Sequence, residues 1–201
     1  EKKVNLIIFK NKKNIIKNVQ AEARSIRYKF LIDYCKKNRI KVILTAHNLE
    51  DQVETFLIRL SRGSGLKGLS AMKLLSKVDK KVYLFRPLLD TKKKFLVKIS
   101  LNIFGKYFKD PSNKNTKYLR TKVRSLKKPI ENSGIKYEQI YKSIQNLSLS
   151  NSTIDIYNSK IFKELIKKAG KEILINFNRF TELNNDTKIA LINESIKKLK
   201  K

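Results

Sequence analysis

Apolar positions in the first two thirds of the chain alternate between short unbroken runs and helical spacing. Residues 4–9 (VNLIIF) form a β-branched and aromatic run that predicts a strand. A polar lysine–asparagine stretch over 10–18 follows, and from 20 to 38 Ala23, Ile26, Phe30 and Tyr34 recur on one helical face. Residues 41–46 (KVILTA) are too brief for a helix and predict a second strand. Strand, helix, strand at this spacing predicts a βαβ unit, and with it a parallel sheet and a right-handed crossover. A further helix is expected over 49–62, with Asn48 as N-cap, Glu50 and Asp51 in its first turn and Gly63 as its stop.

A third strand is expected over 81–86 (KVYLFR), ending at Pro87, then a helix over 91–104 closed by Gly105. Asp110-Pro111-Ser112-Asn113 is turn chemistry, with Pro at the second position. A basic helix is expected over 115–128, stopped by Pro129. Beyond it the pattern predicts helices at 135–149, 153–169 and 187–199 and a strand at 173–177, with a domain boundary near residue 130. There are no internal repeats.

Charge changes this picture. The 201 residues carry 47 Lys and Arg against 17 Asp and Glu, a formal +30, so the surface attracts polyanions before any specific contact forms. Nucleic acid and anionic membrane are the ordinary candidates. No apolar run approaches the roughly 20 residues of a spanning helix, so no membrane association is expected. The single cysteine, Cys35, excludes an internal disulfide and a cysteine-based metal cluster, and suits a reducing cytoplasm. At helical spacing beside apolar residues, Cys35 and Tyr137, Tyr141 and Tyr157 are expected to serve packing.

Residues 45–72 (TAHNLEDQVETFLIRLSRGSGLKGLSAM) hold the only histidine and a concentrated group of carboxylates. On the 49–62 helix Leu49, Val53, Phe56, Leu57 and Leu60 share the face expected to pack on the sheet. Asp51, Glu54, Thr55, Ile58 and Arg62 lie opposite, and Ile58 on that face hints at a cover. Asp51 and Glu54, three apart, are surface neighbours. A bare DxxE is most often a solvated helix face. Here it follows directly on a strand, at the edge where open parallel sheets bind ligands. Such a pair suits Mg²⁺ or an ammonium group. His47 suits either a helix-terminal hydrogen bond or a phosphate contact. Arg62-Gly63-Ser64-Gly65 offers backbone N–H groups, a hydroxyl and a guanidinium to a phosphate, although a glycine after a helix is often only a cap.

Taken together, His47, Asp51, Gln52, Glu54-Thr55, Arg62-Gly63-Ser64-Gly65 and Gly68-Leu69 resemble the signature of the tRNA(Ile)-lysidine synthetase family, within the PP-loop ATP pyrophosphatases. Three further blocks agree in order: Ala23-Arg24 with Arg27-Tyr28, Arg86-Pro87-Leu88-Leu89, and Asp110-Pro111-Ser112-Asn113 with Arg120 and Arg124. The resemblance implies an α/β fold, a Rossmann-like (HUP/PP-loop) parallel sheet incomplete at its N-terminus, followed by a mainly helical subdomain. Residues 1–130 would be a truncated PP-loop nucleotide-binding domain and 131–201 a tRNA-contacting or linker subdomain.

The activity implied is ATP-dependent ligation of lysine onto the wobble cytidine of isoleucine tRNA through an adenylated cytidine. ATP and Mg²⁺ would be the cofactors, and isoleucine tRNA with a CAU anticodon and free L-lysine the partners; a homodimer is compatible with the sequence. The carry-over makes Asp51, Glu54 and Arg120 catalytic, with Asp51 on the metal. It puts His47, Arg62, Gly63, Ser64 and Gly65 on the nucleotide, and Arg24, Arg86, Arg124 and Lys127 on tRNA. The family's SGGxDS phosphate loop is absent from these 201 residues, which contain no Gly-Gly pair. This polypeptide alone is therefore expected to be inactive. Glu50 stands where the family usually has Asp, Asn48 where a second His is common, and Thr121 where Asn follows Arg120. Two alternatives stay open: a tRNA 2-thiolation enzyme of the same superfamily, disfavoured by the single cysteine, and a non-catalytic RNA-binding remnant.

Overall fold

The structure is a computed structural model that describes residues 5–11, 15, 19–108 and 118–199. The elements in chain order are α1 (Val19–Lys37), β1 (Val42–Leu44), α2 (Leu49–Leu60), α3 (Leu66–Leu69), β2 (Leu75–Lys77), β3 (Tyr83–Phe85) and α4 (Lys93–Phe104). Then come α5 (Leu119–Ser125), α6 (Lys127–Asn132), α7 (Tyr137–Leu165), β4 (Ile166–Ala169), β5 (Glu172–Ile175), α8 (Phe177–Thr181) and α9 (Asn185–Leu199). The chain divides into two units, Glu1–Thr55 with Met72–Tyr137, and Phe56–Ala71 with Glu138–Lys201.

In the first unit the sheet order is β1-β3-β2. β1 and β3 pair in parallel, Ile43 opposite Leu84, with α2 between them in sequence, as a crossover requires. β2 pairs antiparallel with β3, so the sheet is mixed rather than purely parallel. Leu75–Lys77 is only three residues long and ends in lysine, which left it without a strand signature. One face of the sheet is covered: Ile43, Val82 and Leu84 pack with Cys35, Tyr28, Leu31 and Ile32 of α1. Burying side chains of this size is worth about 1.5–3 kcal/mol each, so this cluster holds α1 to the sheet.

The strand expected at 4–9 is not formed over its described part. Residues 5–9 carry no strand, and Leu6 and Ile8 stand exposed. A strand exists only with a hydrogen-bonding partner, and this run has none among the described residues. Its anchor is a side chain, Phe9, stacked on Phe30 at 5.8 Å and edge-on to Tyr34 at 5.7 Å. The parallel pair therefore uses the second and third expected strands. The DPSN turn lies outside the described residues.

Pro129 does not stop the basic helix. It falls in the first turn of α6, where its missing N–H is no loss, and the break comes earlier, at Leu126.

In the second unit, the helices expected at 135–149 and 153–169 are one, α7, 29 residues long. The serine-rich stretch between them does not interrupt it, because Ser152 Oγ and Thr153 Oγ1 donate back to Leu149 O within the helix. Residues 166–169 leave the helix to form β4, antiparallel to β5 around Gly170, which takes φ +60°. Phe177, expected at the end of a strand, opens α8 behind an Asn176 side-chain cap. Phe162, Leu165, Ile166 and Leu191 form this unit's core. No helix among the described residues is long and apolar enough to cross a membrane.

Candidate functional site

The chain leaves β1 at Leu44 and reaches α2 through Thr45, Ala46 and His47. Asn48 and Asp51 then close a reciprocal cap. The Asn48 side chain accepts from the Asp51 N–H at 3.0 Å, and Asp51 Oδ2 accepts from the Asn48 N–H at 3.0 Å. This satisfies two helix-terminal donors and fixes the Asp51 rotamer. His47 is half-buried, with Nδ1 hydrogen-bonded to Thr45 Oγ1 at 2.9 Å.

Three acids on α2 meet three cations from α5 and α6. Arg120 donates from Nε to Glu54 Oε2 at 2.9 Å and from Nη2 to Asp51 Oδ1 at 2.6 Å. Arg124 donates from Nε to Glu54 Oε1 at 2.7 Å and from Nη2 to Oε2 at 2.9 Å. Lys127 reaches Glu50 Oε1 at 3.1 Å, while Glu50 Oε2 accepts the Lys93 N–H at the start of α4. The cations recur at 120, 124 and 127, one face of consecutive helical turns, and so meet acids spaced 50, 51 and 54. Glu54 is buried, its side chain 4% exposed, and Asp51 is more open at 19%. The carboxylate of Glu54 raises the pKa of Arg124, its hydrogen bond outweighing the opposing effect of burial.

Beside this network lies a cleft of about 390 Å³ lined by Arg27, Tyr28, Leu31, Thr45, Ala46, His47, Asp51 and Arg120. It sits past the carboxyl end of β1, where ligand sites of open α/β sheets occur. Asp51 lines it and Glu54 does not. Arg27 and Tyr28 were present in the sequence as part of a matching block, but their place in the cleft was not predicted. Glu50 was likewise missed, since nothing local marks its partner 77 residues away.

Arg24 is exposed, its guanidinium 5.1 Å from the Tyr28 ring centre. Arg86 is buried at 7% exposure and turns inward, Nη1 donating to Lys73 O at 2.8 Å and Ser76 Oγ at 3.0 Å. Its guanidinium braces the start of the β2–β3 hairpin, and so is not displayed to a tRNA phosphate. Arg62, Gly63, Ser64 and Gly65 belong to the second unit. Gly63 ends α2 in the left-handed region at φ +66°, and the Gly63 and Ser64 N–H groups go to Leu60 O and Arg59 O. Among the described residues no three His, Cys, Asp or Glu side chains group to hold a metal.

Burial lowers the His47 pKa below its ordinary 6.5, with Asp51 opposing the shift. Unfolding would let the imidazole take up a proton that the folded state resists. His47 therefore contributes stability that is complete above the ordinary value and lost as pH falls through the folded one. Between about pH 7.5 and about pH 5, His47→Gln should lose less unfolding free energy than the parent chain. Urea titrations at the two pH values measure this, and parallel slopes would refute it.

Tyr137, the first residue of α7, lies under Lys127, whose Nζ is 5.1 Å from the ring centre. Its hydroxyl is buried with no hydrogen-bond partner, and burial first, then Glu54, Glu131 and Glu50, push its pKa up to about 12. Tyr137→Phe removes an unsatisfied group and should raise stability by about 1 kcal/mol. Thermal melts check this, and a lower melting temperature would show that the hydroxyl is satisfied in solution.

A PP-loop domain model matches residues 2–129. The chain is 34% identical to the tRNA(Ile)-lysidine synthase of Wolbachia pipientis wMel over 195 residues, 96% of this chain and 45% of that protein. It is 43% identical to that of Orientia tsutsugamushi over 116 residues, 58% of this chain and 26% of that protein. With that of Zymomonas mobilis it shares 32% over 161 residues, 79% of this chain and 48% of that protein. The chain thus spans less than half the length of these relatives.

Proposed function

Because the chain belongs to the PP-loop domain family, we propose that it serves the reaction for which its relatives are named, lysidine formation on isoleucine tRNA. In that reaction the 2-carbonyl oxygen of the wobble cytidine in a CAU anticodon attacks the α-phosphate of ATP and takes the adenylyl group, with pyrophosphate leaving. The ε-amine of free L-lysine then attacks C2, loses a proton and displaces AMP. The observation that carries the reading is Arg120, held by Asp51 and Glu54 at the edge of the cleft beyond β1.

Arg120 and Arg27 line the cleft, and a guanidinium suits a phosphate through paired N–H donors. His47, neutral at pH 7, offers a hydrogen bond without adding charge. Asp51 is the carboxylate that lines the cleft, and on this reading it receives the lysine ammonium as a further donor beside Arg120 and the Asn48 N–H. Glu54 acts through the arginines and is a positioning residue. Arg24, exposed beside Tyr28, remains available to tRNA.

The cationic cleft fits the phosphates of ATP. The donor set does not fit a protein-held Mg²⁺: the oxygens of Glu54 are taken by guanidinium groups, and those of Asp51 by Arg120 and the Asn48 N–H. No step is derived through the metal. Without an SGGxDS loop in these 201 residues, this polypeptide alone is expected to form no AMP from ATP. The proposal is tested by mass spectrometry of the isoleucine tRNA wobble base in cells depleted of the protein. Unmodified cytidine should accumulate, and unchanged lysidine would overturn the reading.

A further inference from the structure

At the opposite, amino-terminal ends of β1 and β3 lies a second cleft, of about 930 Å³, lined by the end of α1 (Cys35, Lys36), by Arg39, Ile40 and Lys41 of the turn that follows it, and by residues 79–82. Its floor is apolar. Cys35 and Val82 belong to the sheet core, Val82 being 1% exposed. Its walls are tied by the ion pair of Lys36 with Asp79 at 2.8 Å. Asp79 is the only carboxylate in the lining and is already committed to that pair. Arg39, Lys41, Lys80 and Lys81 line the same cleft, and among the described residues no carboxylate pairs with any of the four. Four uncompensated cations around one concavity repel each other unless an anion sits between them.

A second feature converges here. The turn after α1 closes with the Ile40 N–H on Cys35 O, an arrangement that places the residue before Ile40 in the left-handed region, where glycine is favoured. That residue is Arg39, at φ +56°. A non-glycine side chain in this conformation is strained, and such outliers gather at functional positions. The carbonyl end of α1 carries partial negative charge, so any anion preference in the cleft comes from these side chains alone.

We propose that this cleft binds an oligophosphate anion, either the backbone of an RNA or a free oligophosphate, through Arg39, Lys41, Lys80 and Lys81. The proposal does not depend on the ligase reading, which concerns the other end of the sheet. Tripolyphosphate titrated into the 201-residue chain at constant ionic strength should give saturable shifts in the backbone amide NMR signals of Ile40, Lys41, Lys80, Lys81 and Val82. The K41Q/K80Q/K81Q variant should bind roughly tenfold or more weakly. Shifts spread evenly over lysines elsewhere, or identical titrations of variant and parent, would overturn the site.

A short oligouridylate distinguishes the sources. If it moves the same amides at lower phosphate concentration, the ligand is an RNA backbone; if only tripolyphosphate moves them, it is a free oligophosphate. Arg39→Gly separates binding from folding. It should raise Tm by about 2–4 °C by relieving the strain, while weakening tripolyphosphate binding. A higher Tm with unchanged binding would remove Arg39 from the site.

Discussion

Replacing Glu54 by glutamine is expected to lower the unfolding free energy by about 3 kcal/mol. The Glu54 carboxylate is buried and accepts three hydrogen bonds from two guanidinium groups, at 2.9, 2.7 and 2.9 Å. An amide of the same size keeps one acceptor oxygen but turns an NH₂ toward groups that are themselves donors. Two positive charges then remain against a neutral wall. Arg120 and Arg124 are 34% and 32% exposed, so water recovers part of the lost interaction. That exposure is why the expected loss lies at the low end for a broken buried pair, about 3 rather than 5 kcal/mol. Urea midpoints measure it. In a double-mutant cycle with Arg124→Gln the two losses should fall short of additivity by about 1 kcal/mol or more. Strict additivity would mean that the pair does not act as a unit.

Arg120→Lys should separate chemistry from folding. Lysine keeps the charge but cannot bond Asp51 and Glu54 while also presenting a fork to the cleft. On the proposed function, in which Arg120 aims a donor at developing charge, lysidine formation by the whole protein is expected to fall by about 100-fold. Stability should fall by less than for Glu54→Gln, because both carboxylates keep Arg124 within 4 Å. Single-turnover incorporation of labelled lysine into isoleucine tRNA reads the first effect and urea titration the second. A near-normal rate would take Arg120 out of the reaction.

What could be read in advance was local. The Asp51–Glu54 spacing and the Asn48 cap each rest on a few neighbouring residues, and each has its counterpart in the structure, whereas the strand–helix–strand unit expected over 4–46 lacks its first strand and the parallel pair is that of β1 with β3. Distance in the chain hid the rest. A helical wheel puts Glu54 on the wet face of α2, and it is buried only because α5, 66 residues later, covers that face. Ile58 on the same side was the one local hint of a cover. The break expected in the serine-rich part of α7 failed for a different reason: hydroxyls that can leave a helix can also bond back into it, and composition does not separate the two. The basic run at 115–128 showed its charge but not its partners. Arg124 and Lys127, which looked like tRNA contacts, have carboxylates in hand.

Gln52, 4% exposed in the middle of this acid group, holds Met72 at both backbone atoms. Its Nε2 donates to Met72 O at 2.7 Å, and its Oε1 accepts the Met72 N–H at 2.8 Å. Only a side chain that gives and takes at once can imitate a strand neighbour in this way, and asparagine is one methylene too short. A glutamine codon lies one base change from lysine and one from glutamate, and either replacement would leave one of the two Met72 contacts unmade. In a gene that has admitted lysine so freely elsewhere, this position should be among the slowest to change.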